Sequence, residues 1–431
     1  MKVAFSTLGC KVNSYETAAL EMMFTAEGFR VVDAKDPADV YVINTCTVTN
    51  TADAKSRKAI RRAVRQNPEA VVAVIGCYSQ LESETVAAIA GVDIIMGTSE
   101  RAKLLANVKR FLRERTPLND VKDFAALSSF DPLHVTRFSD NTRAFLKIQD
   151  GCNQYCSFCI IPYARGPVRS RPLNDVLKEA KALIAEGYQE IVLSGIHTGG
   201  YGTDLEGTSF ADLLNAVSSL DGLTRLRISS VEINQLTDEI LDLIATRKVF
   251  ARHLHVPVQS GSDSVLKRMR RRYTIDAFAA RLTAVRKRIP DVAITTDVIV
   301  GFPGETDDEF AETKATLERL AFAELHVFPY SKRSGTKAAA ATDHVHGTVK
   351  SWRAGELASL SERLAKRFIA SLADDVHQVL FERCNGASCE GHTSHYLRVH
   401  VASNQNLENT VHPVKLTTID YPQSLADFVE R

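Results

Sequence analysis

The sequence lacks any apolar run close to the roughly 20 residues that a membrane-spanning helix needs. Its opening stretch, MKVAFSTLGCKVNSYET, turns polar too early for a secretory signal peptide. The 53 lysines and arginines nearly balance the 52 acidic residues, and the resulting net charge of +1 excludes a protein that is basic throughout. We therefore expect a cytoplasmic protein without a membrane anchor, in which any surface for nucleic acid is local.

Internal repeats and low-complexity segments are also lacking, apart from the recurring strand–helix units described below. The 8 cysteines are not expected to form a disulfide framework, because thiols of a reducing compartment more often bind metal or catalyse reactions. A chain of 431 residues is long enough for two or three domains.

Residues 1–114 alternate short apolar strands with amphipathic helices, which predicts βαβ units and an α/β domain with a doubly wound parallel sheet. Cys10, Cys46 and Cys77 each follow one of the strands KVAFSTLG, VYVINT and VVAVIG. Ligands of such sheets bind outside the carboxyl ends of the strands. We therefore expect these three thiols to be neighbours in space, and three unrelated loop thiols are the alternative.

Residues 115–142 show no sustained periodicity and are predicted to form a linker. Residues 143–370 contain six further strand–helix units, followed by a long helical stretch. Because a closed barrel of this kind uses eight units, six units predict an open, partial (βα)6 barrel. Residues 371–431 contain short strands with polar or glycine-containing connections, which predict a small all-β barrel.

The motif GCNQYCSFC (151–159) directly follows the first strand of the predicted barrel. Cys152, Cys156 and Cys159 have the spacing C-x₃-C-x₂-C, with Phe158 before the last cysteine. Three thiolates match three corners of an iron–sulfur cubane and leave its fourth iron open for another ligand. A zinc site with a distant fourth ligand is the alternative, although structural zinc sites usually pair their ligands at short spacing.

A C-x₃-C-x-aromatic-C motif after the first strand of a partial βα barrel resembles the radical S-adenosylmethionine (SAM) superfamily. The resemblance implies a 4Fe-4S cluster on Cys152, Cys156 and Cys159, whose open iron binds SAM. It also implies that SGIHTGGYG (194–202) and IVGFPGE (299–305) lie beside the methionine and adenine of the cofactor. The residues expected to contact SAM are Phe158, Ser194, Gly195, His197, Glu232, Gln259 and Val300.

The succession of a sheet domain with three strand-end cysteines, a radical domain and a small β-barrel resembles the methylthiotransferases. The resemblance implies that Cys10, Cys46 and Cys77 hold a second 4Fe-4S cluster, which carries the sulfur to be inserted. One SAM would methylate this sulfur, and another would generate the radical that activates the substrate carbon. It further implies an electron donor of the flavodoxin or ferredoxin type, a sulfur source and a TRAM-like, OB-like RNA-binding barrel at the C-terminus.

Residues beside the cysteines indicate the branch of the family. TLGCKVNSYET (7–17) and NTCTVTNTADAKSR (44–57) most resemble the branch that modifies N6-threonylcarbamoyladenosine at position 37, in the anticodon loop of tRNA. The isopentenyladenosine branch typically has glutamine and methionine in place of Lys11 and Val12, and the branch acting on a ribosomal-protein aspartate has a Pro-Lys pair. Both branches remain alternatives, as does a non-enzymatic electron-relay protein, against which the GIHTGGYG loop argues.

Two basic segments, AKSRKAIRRAVR (54–65) and KRMRRRY (267–273), predict local contacts with RNA phosphates. A solvated helix face is the alternative for each. The candidate RNA contacts are Lys55, Arg57, Lys58, Arg61, Arg62, Arg65, Arg165, Arg270, Arg271 and Arg398.

The predicted C-terminal barrel also offers Phe381 and Tyr396 for stacking on bases, and a structural role for both is equally open. Cys384 and Cys389 match neither cysteine triad and are interpreted as ordinary thiols.

Some polar residues near the predicted barrel strands have more than one interpretation. His253 and His255 lie in a strand with a buried pattern, where one or both are expected only to pack. Arg169 and Arg171, like Arg165, could contact a substrate phosphate or stabilise the loop after the cysteine motif.

Overall fold

The structure is a computed structural model that describes residues 1–124, 127, 129–138 and 142–429. Part of the predicted linker at 115–142 therefore lies outside the described residues. None of the helices in these ranges combines the length and apolar character needed to cross a lipid bilayer.

The N-terminal part is a six-stranded parallel sheet with helices on both faces. Its elements are β1 (Lys2–Thr7), α1 (Lys11–Ala26), β2 (Arg30–Val32), β3 (Val40–Thr45), α2 (Asn50–Gln66), β4 (Val71–Gly76), α3 (Cys77–Leu81), α4 (Ser83–Ala87), β5 (Ile94–Met96), α5 (Leu104–Glu114) and β6 (Leu118–Asp120). The strand order is β2-β1-β3-β4-β5-β6. Alternate residues of β3 face opposite sides: Val40 and Val42 join a core with α1 and α5, whereas Tyr41 and Ile43 join one with α2. The predicted doubly wound sheet is confirmed.

The middle part is a partial βα barrel. Its elements are β7 (Arg143–Lys147), β8 (Gln149–Asp150), α6 (Ile161–Arg165), β9 (Arg169–Ser170), α7 (Leu173–Ala185), β10 (Glu190–Ser194), α8 (Phe210–Ser218), β11 (Arg225–Ile228), α9 (Asp238–Thr246), β12 (His253–His255), α10 (Asp263–Arg268), α11 (Ile275–Arg288), β13 (Ala293–Val300), α12 (Asp307–Leu320), β14 (Glu324–Pro329) and α13 (Gly347–Ser371). β7, β10 and β11 form one parallel sheet, β12, β13 and β14 form a second, and a bridge between Leu226 and Phe250 joins them. This arrangement confirms the six predicted units.

Alternation along these six strands sends apolar side chains outward and polar side chains inward. Ala144, Leu146 and Leu193 pack beneath the surrounding helices in the main hydrophobic core. The alternate positions face the interior of the barrel, which we call the lumen. Its polar residues are Arg143, Lys147, Glu190, Ser194, Arg225, Arg227, His253, His255, Thr295, Asp297, Glu324 and His326. Such an interior suits a polar ligand better than a sealed apolar core would.

The C-terminal part is a closed five-stranded barrel with the strand order β15-β16-β17-β19-β18, which confirms the predicted small all-β barrel. Its strands are β15 (Val376–Cys384), β16 (Ser388–Thr393), β17 (Arg398–Ala402), β18 (Val411–Thr418) and β19 (Ser424–Phe428). The barrel contacts the N-terminal ends of the (βα)6 strands. Arg225 donates a hydrogen bond to the Gln378 carbonyl at 2.7 Å, and Arg143 pairs with Glu382 at 3.0 Å. The C-terminal barrel thus closes one end of the lumen.

Tyr396 lies at the centre of this closure and is not available to stack on RNA bases. Its ring is stacked between His253 and His392, at centroid distances of 5.0 and 4.8 Å. The Arg227 guanidinium lies 4.7 Å from the ring centroid. Phe381 is buried within the C-terminal barrel. The RNA-stacking interpretation is therefore wrong for both aromatic residues, because packing between and within the barrels occupies their faces.

Cys384 and Cys389 form a disulfide, so their interpretation as ordinary thiols is wrong. The register of the β15–β16 pair places the two cysteines directly opposite each other, with their Cα atoms 4.2 Å apart. Opposed residues of an antiparallel pair are close neighbours, and this brings the two side chains into reach. A sequence spacing of five does not reveal that register, because it leaves the turn between the strands undefined.

Candidate active site

The cysteine motif forms a loop at the carboxyl end of the first barrel strand. The Cys152 amide donates to the Gly166 carbonyl at 3.0 Å, and the Cys159 amide donates to the Cys156 carbonyl at 3.0 Å. Gly151 begins the loop with a φ of +73°, and a Cβ there would lie 1.8 Å from the Pro167 carbonyl oxygen. Only glycine allows the chain to turn at this point, so backbone geometry holds the three thiols in place.

The three thiols of this loop are free and close enough to affect one another electrostatically. Burial raises the pKa of Cys152 to about 11 and that of Cys159 to about 12. Bare thiolates are therefore unfavourable here, whereas a bound metal centre would stabilise them. A set of three free thiols on one rigid loop fits a cluster ligated by three cysteines.

Arg271 lies against this loop and is not a surface contact for RNA phosphates. Its side chain is buried, its Nη1 lies 3.4 Å from the Sγ of Cys156, and its Nη2 pairs with Glu232. A cation in this position offsets the negative charge of thiolates. The RNA interpretation of Arg271 is wrong because Glu232 and Cys156 hold it inside the site, whereas Arg270 is exposed.

The glycine-rich segment 194–202 reaches the same loop through His197. The His197 Nε2 lies 2.6 Å from Gln235 Nε2 and 3.4 Å from Gln154 Nε2, and Gln154 belongs to the cysteine loop. Burial, followed by the charges of Arg271 and Arg272, lowers the pKa of His197 to about 4. The imidazole is therefore neutral near pH 7. Among the described residues, its buried Nδ1 has no hydrogen-bond partner.

The other predicted cofactor contacts lie in the cysteine loop or at and after the carboxyl ends of β10, β12 and β13. Phe158 meets Phe302 of the IVGFPGE segment edge to face, with ring centroids 6.5 Å apart. Gln259, at a φ of +67°, forms a bridge with β13 two residues before Val300. Ser194 is buried at the end of β10. A Cβ at Gly195 would lie 2.9 Å from Gln149 Oε1 and 3.2 Å from Thr198 Cα, so the backbone there runs close to its neighbours. Direct contact of these residues with SAM remains a prediction.

The second thiol triad forms at the strand ends of the N-terminal sheet. Cys10 is exposed immediately before α1, whereas Cys46 after β3 and Cys77 at the start of α3 are buried. Cys10 contributes to the raised pKa of both Cys46 and Cys77, and Cys46 contributes to that of Cys77, so the three thiols are neighbours. Gly76 has a φ of +104°, and a Cβ there would lie 2.6 Å from the Thr45 carbonyl oxygen. Glycine thus lets the ends of β3 and β4 bring Cys46 and Cys77 together.

Burial raises the pKa of Cys77 to about 11, although the nearby Arg165 guanidinium opposes this effect. Arg165 Nε lies 3.2 Å from the Sγ of Cys77, and Nη2 donates to Asn13 Oδ1 at 2.8 Å. Because Arg165 is fully buried, the prediction that it contacts RNA phosphate is wrong. The three free thiols and this adjacent cation fit a second cluster.

A buried ion network links the two triads. Arg165 Nη1 pairs with Glu16 at 2.6 Å and with Asp150 at 3.2 Å, and Lys147 pairs with the same carboxylates at 2.8 and 2.6 Å. Arg101 reaches Glu16 at 3.3 Å. Burial alone would raise the pKa of Glu16, but the surrounding cations outweigh burial and lower it to about 2. α1 of the sheet domain is therefore ionically fixed to the residue that precedes the cysteine loop.

Arg169 and Arg171 serve the structure of this region. Arg169 donates to the carbonyls of Arg165 and Pro167 at 2.8 and 3.0 Å, and Arg171 pairs with Glu179 at 2.7 Å. Both arginines are buried. Of the two interpretations left open by the sequence, the contacts favour stabilisation of the cysteine loop.

The lumen contains polar groups that sequence reasoning did not bring together. His255 Nε2 lies 3.2 Å from Asp297 Oδ1, and the His326 ring lies beside His255 at a centroid distance of 5.3 Å. One ligand atom from each of these three residues lies within 4.8 Å of the others. His255 therefore lines the open part of the lumen, and His253 on the same face of β12 is buried against Tyr396 at the closed end. The alternation of polar residues along β12, β13 and β14 was the available signal.

The basic stripe predicted at 54–65 lies on α2, on the surface of the sheet domain. The Arg57 guanidinium already has one protein partner, because it donates a hydrogen bond to the Tyr78 hydroxyl at 3.1 Å. The other five cations are exposed, and within the described ranges none has an ion-pair partner. They are Lys55, Lys58, Arg61, Arg62 and Arg65. Arg398 is exposed but pairs with Glu390 at 2.6 Å.

The partial barrel and its three-cysteine loop define the class of radical SAM enzymes. Residues 146–317 match the Radical SAM superfamily, and residues 2–97 match a family described as Uncharacterized protein family UPF0004. The structure resembles the radical SAM methyltransferase TsrM of Kitasatospora setae with a TM-score of 0.59 at 16% identity, covering 78% of this chain and 77% of that one. This likeness supports the fold alone.

Curated relatives narrow the class to one family. The chain is 47% identical to threonylcarbamoyladenosine tRNA methylthiotransferase MtaB of Bacillus subtilis (strain 168), over 99% of this chain and 96% of the relative. It is 38% identical to the protein of that name from Aquifex aeolicus (strain VF5), over 85% and 90% of the two chains. A tRNA-2-methylthio-N(6)-dimethylallyladenosine synthase of Carboxydothermus hydrogenoformans is 33% identical, over 95% of each. The chain belongs to the radical SAM methylthiotransferase family, as its motifs predicted.

Proposed function

We propose that this enzyme replaces the hydrogen at C2 of N6-threonylcarbamoyladenosine, at position 37 of tRNA, with a methylthio group. The observation that carries the proposal is the pair of three-thiol sites, one on the sheet domain and one on the barrel, joined through Arg165. The threonylcarbamoyl substrate is supported by the names of the relatives that are 47% and 38% identical. As a member of the radical SAM superfamily the enzyme uses a 4Fe-4S cluster and SAM.

We propose that Cys152, Cys156 and Cys159 hold the cluster that binds SAM, and that Cys10, Cys46 and Cys77 hold the auxiliary cluster. When bound, the first supplies the electron that cleaves SAM to a 5′-deoxyadenosyl radical, and the second supplies the sulfur. An electron donor of the flavodoxin or ferredoxin type and a sulfur source are then needed as partners.

The protein's own residues orient these groups and shield them. Arg271 holds Glu232 beside the cysteine loop, and the neutral His197 is fixed by Gln235 and Gln154. Arg165, the last residue of α6 in the barrel, provides a cation beside Cys77 and bridges to α1 of the sheet domain through Glu16. The docked C-terminal barrel limits water in the lumen, which protects a reactive radical from side reactions.

Mass spectrometry of tRNA nucleosides from cells with and without this protein tests the proposal. We expect 2-methylthio-N6-threonylcarbamoyladenosine only in cells that contain the protein, and the unmethylthiolated nucleoside in its place when the protein is removed. Appearance of 2-methylthio-isopentenyladenosine instead would assign the enzyme to that branch. An unchanged nucleoside profile together with a changed ribosomal-protein aspartate would contradict the tRNA substrate.

The exposed cations of α2 are proposed to contact tRNA phosphates. Replacing Lys55, Lys58 and Arg62 with alanine should weaken tRNA binding and lower the slope of log K against log salt by about 1 for each phosphate that is no longer neutralised. The measurement is a salt titration of binding, with 5′-deoxyadenosine formation without tRNA as the check on the active site. Lys178→Ala on α7, an exposed residue away from this stripe, is the control. An unchanged slope would show that α2 is only a solvated helix face.

A further inference from the structure

Around β7, β10 and β11, positive charge exceeds negative charge at the closed end of the lumen. Arg227 Nε lies 2.6 Å from Glu190 Oε1, and Arg225 Nη1 lies 3.1 Å from the other oxygen of the same carboxylate. Arg143 pairs with Glu382 of the C-terminal barrel. Three arginines therefore share two carboxylates, and an anion entering this space would be attracted.

Lys11 adds a further cation to the same space. It is the first residue of α1, directly after Cys10, and its ammonium lies within electrostatic range of Arg143, Arg227 and Glu190. These residues belong to β7, β11 and β10, so the lysine side chain points from the sheet domain into the barrel. Within the described ranges, Lys11 has no hydrogen-bond or ion-pair partner.

Lys11 remains accessible at the point where it enters the lumen. The side chain keeps accessible area although three barrel strands and Tyr396 surround its ammonium. Arg143 and Arg227 oppose the positive charge of Lys11, and Glu190 offsets this only in part, because its carboxylate is already paired with Arg225 and Arg227. An anionic ligand in the lumen would give the Lys11 ammonium a direct ion-pair partner.

The position of Lys11 connects the lumen with both thiol triads. Cys10 precedes it, while the lumen into which it points ends at the cysteine loop that follows β7 and β8. A nucleobase held for reaction between the two triads would therefore bring its substituent towards Lys11. The N6-threonylcarbamoyl group carries a carboxylate, whereas an isopentenyl group carries no charge.

We propose that Lys11 binds the carboxylate of the N6-threonylcarbamoyl substituent and thereby selects this substrate over uncharged N6 substituents. The inference rests on the proposed function and identifies the residue that recognises the N6 substituent of the substrate. Arg143 and Arg227 strengthen the positive potential without giving up their own partners. An uncharged substituent would leave Lys11 unpaired in the closed complex, which penalises the wrong substrate as well as favouring the right one.

The test uses the reconstituted holoenzyme and two anticodon stem-loop RNAs. One carries N6-threonylcarbamoyladenosine, and the other carries its methyl ester, which has the same shape apart from the blocked, neutral carboxyl group. Wild type should prefer the acid by about 100-fold in kcat/KM, the scale expected when one partner of a buried charge pair is removed. Lys11→Met should lose about 100-fold on the acid but should not lose activity on the ester, where no lysine is then left unpaired.

Three further measurements separate charge recognition from a structural role of Lys11. Lys11→Arg should keep most of the preference for the acid, because it retains the charge. Iron content and 5′-deoxyadenosine formation without RNA should match wild type in both variants. Lys178→Met is the control for loss of an exposed lysine and should modify both RNAs with the kcat/KM of wild type.

The outcomes that overturn the inference are distinct from failure of the proposed function. If the wild type modifies both RNAs equally well, charge recognition is overturned and the proposed function stays intact. The same holds if Lys11→Met loses kcat/KM by the same factor on both RNAs. Wild type that modifies neither RNA but methylthiolates one carrying isopentenyladenosine overturns the proposed function and this inference together.

Discussion

Cys156→Ala should abolish 5′-deoxyadenosine formation, whereas Cys10→Ala should retain it while losing about half of the bound iron, because each cluster depends on its own three thiolates. Neither variant should form methylthiolated RNA. The expectation follows from the separation of the triads, since Cys156 lies on the barrel loop beside Arg271 and Cys10 precedes α1 of the sheet domain. Cleavage of SAM thus needs only the barrel site, whereas methylthiolation of RNA needs both sites.

The measurement combines anaerobic reconstitution, iron analysis and quantification of 5′-deoxyadenosine after addition of dithionite and SAM. The disulfide-bonded Cys389 lies in the C-terminal barrel, away from both triads, and Cys389→Ala should keep the full iron content. If Cys10→Ala and Cys156→Ala cleaved SAM equally well, the assignment of the two triads to different tasks would be wrong.

Arg165→Met should destabilise the protein by about 3–5 kcal/mol, the cost typical of removing one partner from a buried ion pair. The substitution leaves Glu16 and Asp150 buried with fewer cations and removes the guanidinium that lies 3.2 Å from Cys77 Sγ. We therefore expect two effects: a lower free energy of unfolding and less iron on the auxiliary site, with the barrel loop still able to cleave SAM.

Denaturant unfolding and iron analysis measure the two effects. Arg363→Gln, an exposed arginine of α13, is the control and should change stability by less than about 0.5 kcal/mol. Adding Glu16→Gln to Arg165→Met should cost less than the sum of the single changes, because it removes the carboxylate left unpaired. Additive losses would show that the two residues do not act as a pair.

The periodicity of apolar residues along the sequence was sufficient to predict the fold. Strand–helix alternation predicted the parallel sheet and the six barrel units, because strands buried on both faces or alternating in polarity leave a local signal. The three-residue strand Leu118–Asp120 lies within the predicted linker and leaves no such signal. Its place in the sheet comes from pairing with β5, which a short segment does not reveal by itself.

The roles of the arginines depended on distant partners. Arg271 was predicted to contact RNA because it lies in a basic segment, and Arg165 because it closely follows the cysteine motif. Their counter-ions are remote, since Glu16 is 149 residues from Arg165 and Glu232 is 39 residues from Arg271. A buried arginine and a surface arginine look alike in sequence when their counter-ions are remote. Lys11 shows the opposite case, since its position next to Cys10 is plain in the sequence but its direction into the barrel needs the structure.

The packing of the two barrels against each other makes the C-terminal domain part of the reaction chamber. Tyr396, held between His253 and His392, seals the end of the (βα)6 barrel opposite the cysteine loop. Loss of that seal would let solvent quench the radical, so SAM would be consumed without product. The coupling of cofactor consumption to product formation therefore depends on the C-terminal domain as well as on the two thiol sites.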